Sequence, residues 1–296
     1  MITRNSITMK PVVYSLSLLF VLLSFCQEIT GQNECYYSQN YGDNPTVGKY
    51  LVINGIRMYY EMYGDPSKQP ILIIHGNGGS IFSGRCQIEH FKDKYFIIVA
   101  DSRYHGKSEN GSKPLTYDLL TDDYNELLDQ LKIDSAYIIG QSDGAIVGLL
   151  LAMNYPKKVK KVAAAGPNIK PDSSAFYDWE LNLLDIALKS FNVNDTSYMA
   201  IRQRSQVDLM AKYPNLNSDE LSKIKAQVLI MAGDEDAIKL EHILDIYHHI
   251  PNAHLLIMPG ATHFMLREEY ALFNQMVERF FDNPFKRPTT KQHFMN

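Results

Sequence analysis

Cysteine is scarce in this chain of 296 residues: there are three, Cys26, Cys35 and Cys86. No C-x-x-C, H-E-x-x-H or clustered His/Asp spacing occurs among them and the nine histidines, so nothing in the pattern suggests a zinc site. Positive charge is not gathered into a stripe with interleaved aromatics, and the formal net charge is −4, so nucleic acid is not an expected partner. No apolar run reaches the ~20 residues needed to span a bilayer. Internal repeats and low-complexity tracts are absent as well. With 45% hydrophobic and 21% charged residues, the remaining balance is that of a chain able to bury one large core.

The first stretch differs from the rest. Arg4 and Lys10 precede an apolar run of 14 residues, Val12 to Phe25, which ends in Gln27-Glu28-Ile29-Thr30-Gly31. A positive start, a short apolar stretch and a small residue at a cut point describe a secretory signal peptide over residues 1–31. The chain is therefore expected to be exported, secreted or periplasmic. Leu23-Ser24-Phe25-Cys26 has some likeness to a lipoprotein box, which would anchor Cys26, although Phe25 is bulky for that pattern. In an oxidising compartment Cys35 and Cys86 could pair, tying the N-terminal lead-in (32–49) to the first core helix; they could equally stay free.

From residue 50 a rhythm sets in. Tyr50 to Ile53 and Met58 to Tyr63 are strand-like runs joined through Asn54-Gly55, a strong hairpin signal. Aliphatic runs follow at Ile71 to Ile74, Tyr95 to Ala100, Tyr137 to Ile139, Val159 to Ala165, Val228 to Ala232 and Leu255 to Met258. Short continuous apolar runs separated by helical patterns fit strands buried on both faces of a parallel sheet. Tyr117, Leu120, Tyr124, Leu127, Leu128 and Leu131 recur at helical spacing, as do Ile243, Ile246 and Tyr247. A closing amphipathic helix is expected over Met265 to Phe281, with Leu272, Met276, Val277 and Phe280 on its apolar face. The class is α/β, a mostly parallel sheet flanked by helices over residues 50–282, with 283–296 as a tail. Residues 167–225 carry helical patterns (Trp179 to Phe191, Tyr198 to Tyr213) but no strand. They read as a helical cap, inserted after the sixth strand and lying over the sheet's carboxyl edge. Its Phe176, Tyr177, Trp179, Phe191 and Met199 are expected to cover something.

The chemistry concentrates in Gly140-Gln141-Ser142-Asp143-Gly144, where a strand-like run meets a helical pattern with no loop between. A G-x-S-x-G match in that context marks a nucleophile elbow, a strained turn that thrusts one hydroxyl outward. Taken alone, a glycine-rich turn with an N-cap serine would read the same way. Further along, Gly233-Asp234-Glu235-Asp236 and Gly260-Ala261-Thr262-His263-Phe264 each follow an expected strand, and His75-Gly76-Asn77-Gly78-Gly79 follows another. A serine hydroxyl needs a base to take its proton, imidazole titrates near neutrality, and a carboxylate behind it fixes the tautomer.

With those motifs the chain resembles an α/β-hydrolase over residues 50–282, in the capped esterase/lactonase branch near biphenyl-hydrolase-like hydrolases and 3-oxoadipate enol-lactonases. The resemblance implies Ser142 as nucleophile, Asp236 as acid and His263 as base, in the chain order that this fold uses. It also implies an oxyanion hole from the backbone N–H groups of Asn77 and Asp143, and no metal or organic cofactor. Asp234 and Glu235 are alternatives to Asp236. His254 opens its strand at the wrong end of the sheet, and His248-His249 looks like a helix terminus. Asp101-Ser102-Arg103-Tyr104-His105-Gly106-Lys107-Ser108 resembles the family's D-x-R-G-x-G-x-S scaffold, with Tyr104 in place of the first glycine. His75 is expected to pack structurally below the site.

The expected activity is hydrolysis of a carboxylic ester or lactone of a small molecule through an acyl-enzyme. Serine at the elbow, and Gly78 where epoxide hydrolases carry proline, argue against relatives with a carboxylate nucleophile. Two other readings share the fold: C–C bond, amide or aminoacyl-ester hydrolysis on the same triad, and a ligand-binding protein without turnover. If the Asp143 carboxylate faced the pocket, it would favour a cationic substrate.

Overall fold

A computed structural model describes residues 35–295; the expected signal peptide (1–31) and Cys26 lie outside the described residues. Eight strands form one sheet in the order β1-β2-β4-β3-β5-β6-β7-β8. They are β1 (Lys49–Ile53), β2 (Ile56–Tyr63), β3 (Pro70–Ile74), β4 (Phe96–Ala100), β5 (Ala136–Gln141), β6 (Val159–Ala165), β7 (Gln227–Glu235) and β8 (Ala253–Thr262). β1 and β2 form the expected hairpin through Asn54-Gly55, and β2 runs antiparallel to β4. All later pairings are parallel. The pairing explains the runs seen in the sequence, since β4 is buried along its whole length.

Helices cover both faces. α1 (Arg85–Phe91) precedes β4, α2 (Tyr117–Gln130) follows it, α3 (Asp143–Asn154) follows β5, and α6 (Leu240–His249) follows β7. Tyr117, Leu120, Tyr124, Leu127 and Leu128 of α2 join the α3 aliphatics, Ile243 and Ile246 in one apolar layer with Leu72, Ile138 and Val162. On the other face Ile88 and Phe91 of α1 pack with Ile71, Ile97 and Leu229.

The closing helix departs from expectation. It is split into α7 (Met265–Glu268) and α8 (Tyr270–Asp282), with Glu269 in a non-helical conformation at φ −122°, ψ 39°. Its inward residues are Phe273, Val277, Phe280 and Phe281, whereas Leu272 is exposed. Splitting the helix restarts the helical phase at Tyr270, and the apolar stripe advances by one position. The tail is not wholly irregular, because Thr290–Met295 forms a last short helix, α9.

Between β6 and β7 the chain builds α4 (Asp178–Ser190), α5 (Tyr198–Lys212) and a short 3-10 turn (Ser218–Lys223). These helices follow the sixth strand, as the sequence pattern implies. Their large side chains are less covered than expected: Trp179 is 58% and Met199 54% exposed. α5 is fastened to the loop after β4 by polar contacts. Arg202 donates to the carbonyls of Gly106 (2.8 Å) and Ser108 (2.6 Å) and to Oδ1 of Asn110 (2.9 Å), and Gln206 Nε2 donates to the carbonyl of Tyr104 (2.6 Å).

Two buried polar knots hold the framework. Arg103 makes a two-pronged contact with Asp123, through Nε (2.5 Å) and Nη2 (2.7 Å). Glu61 accepts from the N–H groups of Gly42 (2.8 Å) and Asn44 (3.0 Å) and from the hydroxyls of Tyr59 (2.7 Å) and Tyr63 (2.6 Å). A buried carboxylate is tolerated when its lone pairs are filled in this way. The lead-in is thereby fixed to β2, and the Cys35–Cys86 disulfide ties it to α1, as one of the two sequence readings had it.

Candidate active site

The elbow forms at the carboxyl end of β5. Ser142 has φ 52° and ψ −117°, a region that a non-glycine residue occupies only under constraint. Its N–H is held by the carbonyl of Ala165 at the end of β6 (2.8 Å). The flanking glycines are obligatory because backbone passes too close: a Cβ on Gly140 would lie 2.2 Å from the Gly144 carbonyl oxygen, and one on Gly144 would lie 2.1 Å from that of Ile74. Ser142 is half-buried, with α3, apolar between Asp143 and Asn154, behind it.

β7 and β8 lead into the expected acid and base. Nδ1 of His263 lies 2.7 Å from Oδ1 of Asp236. Asp236 is itself set by backbone, since its carboxylate accepts the N–H groups of Gly233 (3.1 Å) and Ile238 (3.0 Å). Asp234 accepts instead from Ala261 N (3.2 Å), and both Asp234 and Glu235 are exposed. His254 sits at the start of β8 with its Nε2 on the Lys286 carbonyl, and His248 and His249 end α6. Of the weighed candidates, Asp236 is the one joined to His263.

Two contacts bring the elbow and the pair together. Gln141, the residue before Ser142, donates through Nε2 to the His263 carbonyl (3.2 Å). Gly166, the residue after Ser142's backbone partner, lies directly against the imidazole ring. Electrostatics follow from burial and pairing. Burial opposes charge on His263, but the attraction and hydrogen bond of Asp236, with smaller contributions from Glu180 and Asp143, overcome it and raise its pKa. Burial likewise opposes ionisation of Asp236, and His263 together with the two N–H donors reverses this, so its pKa falls.

Asn77 and Asp143, expected to supply amides, also meet through their side chains. Nδ2 of Asn77 donates to Oδ2 of Asp143 (2.9 Å) and to the main-chain carbonyl of Gln206 in α5 (3.1 Å). The hydroxyl of Tyr117 donates to Oδ1 of Asp143 (2.7 Å). The Asp143 carboxylate is thus buried and engaged on both oxygens, rather than presented to a substrate cation. Its pKa is raised, burial outweighing the bonds from Tyr117 and Asn77 and the nearby His263. Its N–H opens α3, where first-turn donors have no partner within the helix.

His75 packs below the site as expected. Its Nε2 accepts the Ser102 N–H (3.0 Å) and its Nδ1 donates to the Gly76 carbonyl (2.7 Å), which fixes a neutral tautomer. Tyr104 takes the left-handed conformation that a glycine would adopt, φ 62°, and its hydroxyl is anchored on the carbonyls of Gly111 (3.3 Å) and Lys113 (3.1 Å). The scaffold turn is therefore intact without the glycine. Among the described residues, no group of three or more His, Cys, Asp and Glu side chains could hold a metal ion, and no helix is long and apolar enough to cross a membrane.

Gly166, Tyr117, Gln206 and Glu180 were not legible as parts of this neighbourhood. Gly166 alone left a trace, a glycine directly after an aliphatic strand. The others act across elements that only folding brings together.

A family model described as the alpha/beta hydrolase fold matches residues 69–213. The chain is 31% identical over 120 residues to 3-oxoadipate enol-lactonase 2 of Acinetobacter baylyi, covering 40% of this chain and 45% of that one. It is 24% identical over 261 residues to the human serine hydrolase BPHL, covering 81% and 88%. Among solved structures, the enol-lactonase from Burkholderia xenovorans aligns with a TM-score of 0.67 at 20% identity, over 79% of this chain and all of that one. Together with the sheet order, these matches show that the chain has the α/β-hydrolase fold and is similar to hydrolases built on it.

Proposed function

We propose that the chain is an exported serine hydrolase that cleaves a carboxylic ester or lactone of a small molecule through an acyl-enzyme. Ser142 attacks the carbonyl carbon while Nε2 of His263 takes its proton. The backbone N–H groups of Asn77 and Asp143 receive the oxyanion. The tetrahedral intermediate collapses, and His263 returns the proton to the leaving alkoxide. A water molecule, deprotonated by His263, then attacks the acyl-enzyme and releases the acid and Ser142. The single observation that carries this reading is the 2.7 Å contact of His263 with Asp236, at the sheet edge where the strained Ser142 also stands.

An uncharged ester is favoured over an aminoacyl ester, because Tyr117 and Asn77 already occupy both oxygens of Asp143. Export is supported by the disulfide, which persists in oxidising compartments.

The test is turnover of p-nitrophenyl acetate and butyrate by the purified protein, together with fluorophosphonate labelling. The wild type is expected to turn over and label, and Ser142→Ala to lose about 10⁴–10⁶ in kcat and all labelling. Equal rates in both proteins would end the serine-hydrolase reading. Saturable binding without turnover would favour the ligand-binding one.

A further inference from the structure

The segment that begins α4 is stitched to the loop carrying Asp236. Phe176 forms an antiparallel bridge with Ile238, and the Lys239 N–H donates to the Ala175 carbonyl (2.8 Å). Ile238 is the residue whose N–H holds Oδ1 of Asp236, the oxygen that also contacts His263. Four residues past this bridge, in the first turn of α4, comes Glu180. Its Oε2 accepts the Tyr177 N–H (3.0 Å), which fixes its rotamer and leaves it half-buried. The charged and titratable groups around it are His263 at the end of β8, Asp236 after β7, Lys239 before α6 and Tyr177 beside it. Lys239 is spoken for, as its ammonium donates to the Ser173 carbonyl (2.8 Å) and lies over the Tyr177 ring.

We propose that Glu180 is a positioning residue through which the inserted helices act on His263: a second carboxylate that steadies the imidazolium formed during each proton transfer. Asp236 holds the ring from Nδ1, and Glu180 adds a second negative field from the cap segment docked on the Asp236 loop. Opposite charges brought close in a partly dry site interact far more strongly than in water. Burial raises the Glu180 carboxyl to about 7, against the Tyr177 hydrogen bond and His263, so its ionisation is linked to that of the imidazole. The effect depends on α4 being docked on the Asp236 loop, which makes the base's strength responsive to the state of the cap.

This inference rests on His263 being the base, but its test does not need turnover. The imidazole of His263 is titrated by NMR in the wild type, in Glu180→Gln and in Asp185→Asn. Gln keeps an acceptor for Tyr177 N–H, and Asp185 is an exposed carboxylate on the same helix, paired with Lys189. Glu180→Gln is expected to lower the His263 pKa by about half a unit, a threefold change in the protonation equilibrium, with Asp185→Asn leaving it in place. The acid limb of kcat/KM should move by the same amount. An unchanged His263 titration in Glu180→Gln, or an equal shift in Asp185→Asn, overturns the proposal. A shift in a protein with no esterase activity would sustain it while removing the ester reading.

Discussion

Gly166 and His263 leave no space between them: a Cβ built on Gly166 would lie 2.6 Å from Cε1 and 2.7 Å from Nδ1 of the imidazole. Gly166 also has φ +61°, where an L side chain is strained by roughly 1–2 kcal/mol. Gly166→Ala must therefore displace the ring that Asp236 holds. Turnover of p-nitrophenyl butyrate is expected to fall on the order of 10²-fold while the far-ultraviolet dichroism stays native. Wild-type rates in this variant would show that the ring has slack it does not have in this structure.

Asp236→Asn replaces the acceptor for Nδ1–H with a group that can present a donor. The expected loss in kcat is about 10⁴, with the fold retained. Replacing Asp234 in the same way should cost little, because its contact is with the Ala261 backbone. Steady-state kinetics on both variants separates the two acids.

As the proposed base, His263 works only when neutral, and its pKa is raised above the ordinary 6.5. Activity is therefore expected to fall as pH drops through a value above 6.5, whereas Asp236 remains ionised throughout that range. A kcat/KM profile that is flat down to pH 6 would contradict the assignment of His263.

Acid stability turns on a different histidine. His105 is fully buried with Nδ1 on the Arg103 carbonyl (2.9 Å), and burial with the neighbouring His75 pushes its pKa down to about 3. Its folded-state value is depressed, so the unfolded chain binds the proton first. The stability it contributes is complete above pH 6.5 and is lost as pH falls from there toward 3, by up to about 1.4 kcal/mol per unit. His263, with its raised value, contributes in the opposite sense, below pH 6.5 and fading above it. Urea midpoints measured between pH 7 and 4 should drop less steeply in His105→Asn than in the wild type.

Reduction of Cys35–Cys86 opens a closure of 51 residues. A cost of about 2–4 kcal/mol in unfolding free energy is expected for Cys35→Ser/Cys86→Ser. Amide exchange should quicken first at the start of the lead-in, before Tyr41, which Glu89 and the Glu61 knot still hold.

What the sequence revealed, and what it hid, follows a physical divide. The strands were readable because a parallel sheet covered on both faces demands unbroken aliphatic runs, as in Phe96–Ala100. Ser142, Asp236 and His263 stood out as candidates because each stands at the end of such a run, in a motif whose glycines have a steric purpose. The break at Glu269 was not readable: the apolar residues around it suit one helix as well as two, and tertiary packing chose between them. The side-chain role of Asp143 was equally hidden, since Tyr117, Asn77 and Asp143 belong to three different elements.

One amide has consequences for anyone who redesigns this protein. Nδ2 of Asn77 is shared between Asp143, the residue after Ser142, and the carbonyl of Gln206 in α5. A transplanted lid that lacks an acceptor at that spot would strand the donor and loosen the turn proposed to cradle the oxyanion. Substrate range and catalytic competence are thus not separable modules here, and lid grafts will need that contact rebuilt before any new selectivity can be read.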